Sequence, residues 1–347
     1  MVGAGAVRAG SNSRWRLGAR LLSMSPARPP SNAQLARLLL ALQDDEQLEQ
    51  SARRPRDDAF SATLPADASS WTRIMRWLDF VDGGNHLVAR QTESGLRNVA
   101  SLMMIAGALV GWISVLGAFY YDGSTRVNVA AVLGILVGVP FAALLLSLVA
   151  MFHDAWPGLS GVISSLSIGR LGAVFQRFVE HESRRGLSVL MVDDAQSHPG
   201  LSAYRRWQYL IWAQLFAIAF YLAVLIVAVL MVVFSDLAFG WSTTLSVSDQ
   251  AVYALAKSVA FPWGWLWPQA VPDQALVMET RYFRLEQELV SAAAGSLGGW
   301  WQFVVASLLV YGLLPRALAA WIARIGCVRA RNSLLSDHPE IRALLVR

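Results

Sequence analysis

Polar residues all but vanish from the chain over four stretches, 99–120, 127–151, 207–234 and 298–314. Each is near or above the about 20 residues that a helix needs to cross a hydrocarbon core of ~30 Å. The third is long enough to tilt or to project beyond the bilayer. The fourth is the shortest and is interrupted by Pro315 and Arg316. The pattern predicts an all-α integral membrane protein with four transmembrane helices.

Between the runs, apolar positions recur at helical spacing. Residues 32–52 predict a short amphipathic helix. "SSWTRIMRWLDFV" places Ile74, Trp77, Leu78 and Val81 on one face, with Ser70 as a possible N-cap, and Gly83-Gly84 breaks it. In the 152–206 segment, Leu171, Val174, Phe175, Phe178 and Val179 make an apolar face opposite Arg177, Glu180 and Arg184. That is an amphipathic helix suited to a membrane surface or a partner. The 235–297 loop predicts two more helices. One runs from about Asp249 to Ala260; the other is capped by Asp273 and stopped by Gly295.

"AFPWGWLWPQAVPD" joins those two helices. Trp263, Trp265 and Trp267 alternate there among Pro262, Pro268 and Pro272. Tryptophan concentrates at headgroup depth because its ring is apolar while its N–H needs a polar partner. The stretch is therefore read as a wedge at the membrane interface. The alternative is an aromatic cage for a cationic ligand; flanking prolines disfavour a strand.

Composition supports a membrane protein. Of the 347 residues, 55% are hydrophobic and 15% charged, against about a quarter charged in soluble domains. Arginine placement sets the orientation. Thirteen arginines precede the first run, six lie in 152–206 and six follow the fourth run, against two arginines and Lys257 in 235–299. Positive residues stay inside. Both termini and the 152–206 segment are expected in the cytoplasm, and the 235–297 loop in the periplasm. The net charge of +5 is then explained by these flanks, and no nucleic-acid partner is expected. The resulting organisation is a partly disordered cytoplasmic tail over 1–69, cytoplasmic helices and a transmembrane hairpin over 70–151, and a cytoplasmic amphipathic loop over 152–206. Two spans enclosing the periplasmic loop follow over 207–314, and a cytoplasmic tail over 315–347. The first 30 residues are Arg-rich and acid-free, as a transit peptide would be, and lack the apolar core of a secretory signal; an upstream start codon or a loose bacterial tail fits them equally well.

Signatures of chemistry are sparse. There is no GxxxxGK[ST] and no GxSxG. His181-Glu182 begins like a zinc-protease helix, but Arg185 stands where the second histidine belongs. The five histidines are scattered, and Cys327 is the only cysteine, so neither a metal site nor a bound cofactor is expected. Gln208, Gln214 and Gln302 are read as helix-packing amides. Gly107 with Gly111, and Gly134 with Gly138, form two GxxxG pairs on the first two runs. They predict a tight antiparallel hairpin of those two spans. Pro315 should kink the fourth helix. Arg316 is expected to snorkel to the inner headgroups. The other reading pairs it inside the bundle, with Asp154 or Asp236 as acids to consider.

Four pieces carry a family resemblance: "YRRWQYLIWAQLFAIAFYLAVLIVAVLMVVF", "FGWSTTLSVSD", "FPWGWLWPQAVPD" and "WWQFVVASLLVYGLLPRALAAW". They resemble a family of bacterial inner-membrane proteins catalogued as a domain of unknown function. The likeness runs over roughly residues 70 to 330. It is most specific at Trp241, Thr243, Thr244 and Leu245 and from Tyr311 and Gly312 to Pro315 and Arg316. Members are often encoded beside a P-loop GTPase. The resemblance therefore implies a bacterial inner-membrane location and a cytosolic GTPase as partner. The expectation is a non-enzymatic anchor, scaffold or sensor in the lipid bilayer. The alternative is a subunit of an oligomeric channel or transporter, self-associated as a homo-oligomer. An enzyme acting on lipid through Ser242, Thr243 and Thr244 ranks last, because no base or metal ligand accompanies them.

Overall fold

The computed structural model describes residues 31–46, 56, 60, 70–82, 87–120, 126–151, 190–191, 199–282 and 298–337. The first 30 residues and the 171–179 apolar face lie outside them. Helix α1 spans Asn32–Glu46, α2 Ser70–Val81 and α3 Leu87–Ala118. Helix α4 is composite over 129–151: α-helical at Val129–Leu133, π-helical at Gly134–Gly138, and α-helical at Val139–Met151. Then come α5 Pro199–Phe234, α6 Asp249–Val259 and α7 Gln274–Glu279. The last, α8, is again composite over 301–337, with a π turn at Leu308–Leu313 between α-helical Trp301–Ser307 and Leu314–Asp337. Among the described residues, α3, α4, α5 and α8 are long and apolar enough to cross a membrane. Their outward positions are apolar too: Ile105, Leu109, Ile113 and Leu116 form an exposed row along α3, which water would not tolerate and lipid does.

The chain forms two compact units. One takes in residues 1–99, 166–209 and 324–347; the other takes in 100–165 and 210–323. In the first, α1 packs on α2, burying Leu35 and Leu38 from one helix and Ile74, Trp77 and Leu78 from the other. Arg37 fixes the pair. Its Nε and Nη2 both bond Asp82 at 2.9 Å, and Nη2 bonds Asp79 at 3.0 Å. Burial alone would lower the guanidinium pKa; the hydrogen bonds and charges of the two aspartates outweigh it and hold the pKa above its ordinary value. A raised folded pKa stabilises below the ordinary guanidinium range and is lost only above it, so no physiological pH releases this contact. In the same unit, Arg331 donates to Asn32 at 3.0 Å, and Cys327 Sγ lies 3.7 Å from Gln208 Oε1. The Trp207 ring sits where a side chain on Gly326 would be.

The second unit holds the membrane bundle and the connection from 235 to 282. Among the described residues, short extended pairings interrupt the helices. Val127 and Asn128 pair in parallel with Phe239 and Gly240. Asn128 also caps α4, accepting from Ala130 N and Ala131 N, and donates to Ser242 O at 3.0 Å. Helix α7 is shorter than its sequence pattern predicts. Asp273 caps it, accepting from Leu276 N at 2.7 Å. At its end, however, Thr280 Oγ1 donates to Leu276 O at 2.6 Å, and the chain turns extended to bridge Trp241 through Arg281. Backbone bonds to Trp241 replace the helical ones over 280–282.

Candidate functional site

Both π turns precede a proline. In a π turn each carbonyl bonds five residues on: Val139 N–H reaches Gly134 O, and Leu314 N–H reaches Leu309 O. Pro140 and Pro315 follow directly. Proline has no N–H and crowds the carbonyl four residues back. A wider turn relieves that crowding, so the fourth helix passes Pro315 and continues to Asp337; the expected interruption is a change of winding.

Pro140 deprives Leu136 O of its helical donor. A buried carbonyl without a partner is costly. Tyr221 of α5 supplies it, its hydroxyl donating to Leu136 O at 3.0 Å. The Tyr221 ring lies against the bare Cα of Gly312, where any Cβ would collide with it. This is why a glycine stands inside the second π turn. Neighbouring Tyr311 reaches the other way. Its hydroxyl donates to Val259 O of α6 at 2.9 Å, and its ring meets Phe141 and Trp263 edge-on with centroids 6.3 and 5.9 Å apart. One turn further, Arg316 donates to Pro140 O. Two helix breaks, Tyr221 and Arg316 thus form one junction inside the bundle.

Arg316 is 7% exposed. It does not snorkel; it is held inside the bundle, because the π turn and the adjoining α4 carbonyl give it an inward partner. That partner is not an acid. Asp236 is exposed at the end of α5, and Asp154 lies outside the described residues.

The two glycine pairs do different work from the predicted hairpin. A Cβ on Gly107 or Gly111 would collide with the Phe216 or Phe220 carbonyl oxygen of α5. The first span therefore seats the third, not the second. Gly134 meets nothing within 4 Å and Gly138 only Leu133 O of its own helix, at 3.8 Å. These two bound the π turn, where they do not hold two helices together.

The tryptophan stretch is divided. Trp263 is 4% exposed, packed against Phe303 and Tyr311 at 5.9 Å, and Trp267 is half-buried. Only Trp265 lies out, with Phe261 and Leu266 beside it. The interfacial reading therefore needs correcting at Trp263: the 259–264 turn wraps against α8, which hides this ring. Trp241 is also buried. Its Nε1 donates to Val277 O at 2.7 Å, and Arg281 stacks over its ring at 5.1 Å while bonding Asp249 at 2.8 Å. Thr243 and Thr244 are exposed; Thr243 Oγ1 accepts from Leu245 N at 3.2 Å, a local turn bond. The two tight sequence motifs, at 241–245 and 311–316, thus use different partners: Trp241 bonds Val277 O and Tyr311 bonds Val259 O. Tyr221 and Pro140 escaped the sequence reading; a proline inside an apolar run was the available signal.

Residues 170–347 match the family described as "Protein of unknown function (DUF2868)". The chain belongs to this family. The DUF2868 stretch covers all four quoted motifs and reaches the end of the chain, while the first two spans lie outside it. No curated protein and no solved structure matches the chain. Among the described residues, no group of three His, Cys, Asp or Glu side chains is placed to hold a metal ion.

Proposed function

We propose that this protein is a non-enzymatic, multi-pass sensor and anchor of the bacterial inner membrane, with a cytosolic P-loop GTPase as its partner. One observation carries the sensing role. Tyr311 sits in a π turn and is gripped by the 235–282 connection, while its neighbour Gly312 seats Tyr221. Force on that connection therefore reaches the winding of α8, whose far end is the Arg-rich tail. π turns are weak points of a helix and recur at functional sites. A shift of one residue in winding would rotate everything beyond Pro315.

The arginine bias puts the connection in the periplasm and both termini in the cytoplasm. The GTPase is what the family resemblance implies; the chain has no nucleotide motif of its own. Isolation of the tagged full chain from native membranes in mild detergent, with mass spectrometry of co-eluting proteins, tests this. A stoichiometric GTPase is expected. A self-associated chain with no soluble partner would sink the reading. A reporter fused after Ser248 should read periplasmic.

A channel or transporter subunit is the second reading. The buried polar groups of Gln214 and Arg316 inside the bundle favour it. Ion flux through the purified chain in liposomes decides that case.

A further inference from the structure

The four spans hold no acid. No Asp or Glu occurs over 99–120, 127–151, 207–234 or 298–334. Arg316 is nevertheless buried among them, and among the described residues Pro140 O is its hydrogen-bond acceptor. A guanidinium carries five N–H donors in a planar fork, so most remain unspent. Tyr221 is close by, but it is neutral and its proton already goes to Leu136 O. A buried charge is regularly paired, because burial without a counter-charge is unfavourable. Among the described residues this charge has no counter-charge.

A second buried group points to the same place. Gln214 is 1% exposed, and its Oε1 has no hydrogen-bond partner. It lies two turns before Tyr221 on the same face of α5. Since α8 runs back along α5 with Gly312 beside Tyr221, two turns past Gly312 brings Ala319 opposite Gln214. Arg316 falls between. An amide whose oxygen lacks a donor can present its NH2 instead by turning over.

We infer that Arg316, flanked by Gln214 and Tyr221, is a binding site for a phosphate-type anion within the bundle. The guanidinium fork matches two oxygens of such a group, and the anion supplies the missing charge. The site lies ~22 Å along α8 from Trp301, toward the end of the bundle from which α8 continues to Asp337. The same chemistry is offered by a lipid headgroup phosphodiester or by free phosphate. This site does not depend on a soluble partner.

The test uses the full chain in uncharged detergent. Thermal unfolding is followed while titrating phosphatidylglycerol, inorganic phosphate at constant ionic strength, or uncharged diacylglycerol. Wild type should show a saturable rise in Tm with at least one of the two phosphate-bearing probes and none with diacylglycerol. A response to phosphatidylglycerol alone assigns a lipid; a response to phosphate assigns a free ion. Arg316→Gln should weaken that binding about tenfold or more, or ~1.4 kcal/mol. Arg324→Gln, at an exposed arginine on the same helix, should not. Equal stabilisation by diacylglycerol, no saturable response, or unchanged binding in Arg316→Gln overturns the proposal. If Arg316→Gln does not fold, Arg316→Lys serves: it keeps the charge and loses the fork, and unchanged affinity there overturns the site.

Discussion

Tyr221 completes a hydrogen bond that Pro140 removes from α4, its hydroxyl donating to Leu136 O. Tyr221→Phe keeps the ring against Gly312 and takes that donor away. The loss of a buried partner costs about 1–3 kcal/mol. Gly312→Ala works on the same contact from the other side, driving a methyl into the Tyr221 ring at about 1–3 kcal/mol of overpacking. Each should lower the unfolding midpoint in detergent. The double variant should cost less than the sum, because both act on one contact. Full additivity would mean that ring and hydroxyl are not coupled. Arg316 was legible in sequence as a charge at the end of an apolar run, and Gly312 only through the family resemblance. Tyr221 was not: a tyrosine among Phe, Ala and Leu reads like any lipid-facing aromatic until the carbonyl it serves is known.

At the scale of helices, a GxxxG pair says that a backbone comes close; it does not say whose. Sequence proximity favoured the second span for the first pair, and the Phe216 and Phe220 carbonyls of the third occupy that place. Gly107→Leu or Gly111→Leu should therefore collapse the unfolding midpoint, whereas Gly134→Ala should be nearly silent, since a methyl there meets open space. Comparable losses in both pairs would restore the hairpin reading. The same limit applies to the tryptophans. Alternation marks them as unusual, but only the turn at 259–264 decides which ring faces α8. Because Tyr311, ~15 Å along α8 from Trp301, bonds Val259 O, this turn lies well below the start of the span. With the protein in bilayers of brominated lipid, a chain keeping only Trp265 should be strongly quenched, and one keeping only Trp263 weakly. Equal quenching would place both rings in the same environment.

The whole molecule draws one of its two units from both ends of the chain: α1, α2, the start of α5 and the last turns of α8. Four spans and their order were readable from hydropathy, because bilayer thickness fixes helix length. This assembly was not readable, since long-range pairs such as Arg37 with Asp82, or Arg331 with Asn32, leave no periodic trace. Arg37→Met tests whether the unit stands apart from the bundle. The change removes a buried guanidinium that two carboxylates share; Asp82 is largely covered and Asp79 half-open. Breaking a buried pair costs about 3–5 kcal/mol, and solvent at Asp79 should bring the loss to the lower end or below. Backbone hydrogen exchange should rise together in 32–46 and 70–82, because each helix is the other's cover. It should stay unchanged over 212–230 and 303–320, whose burial belongs to the other unit. A rise there as well would show that the two units unfold as one.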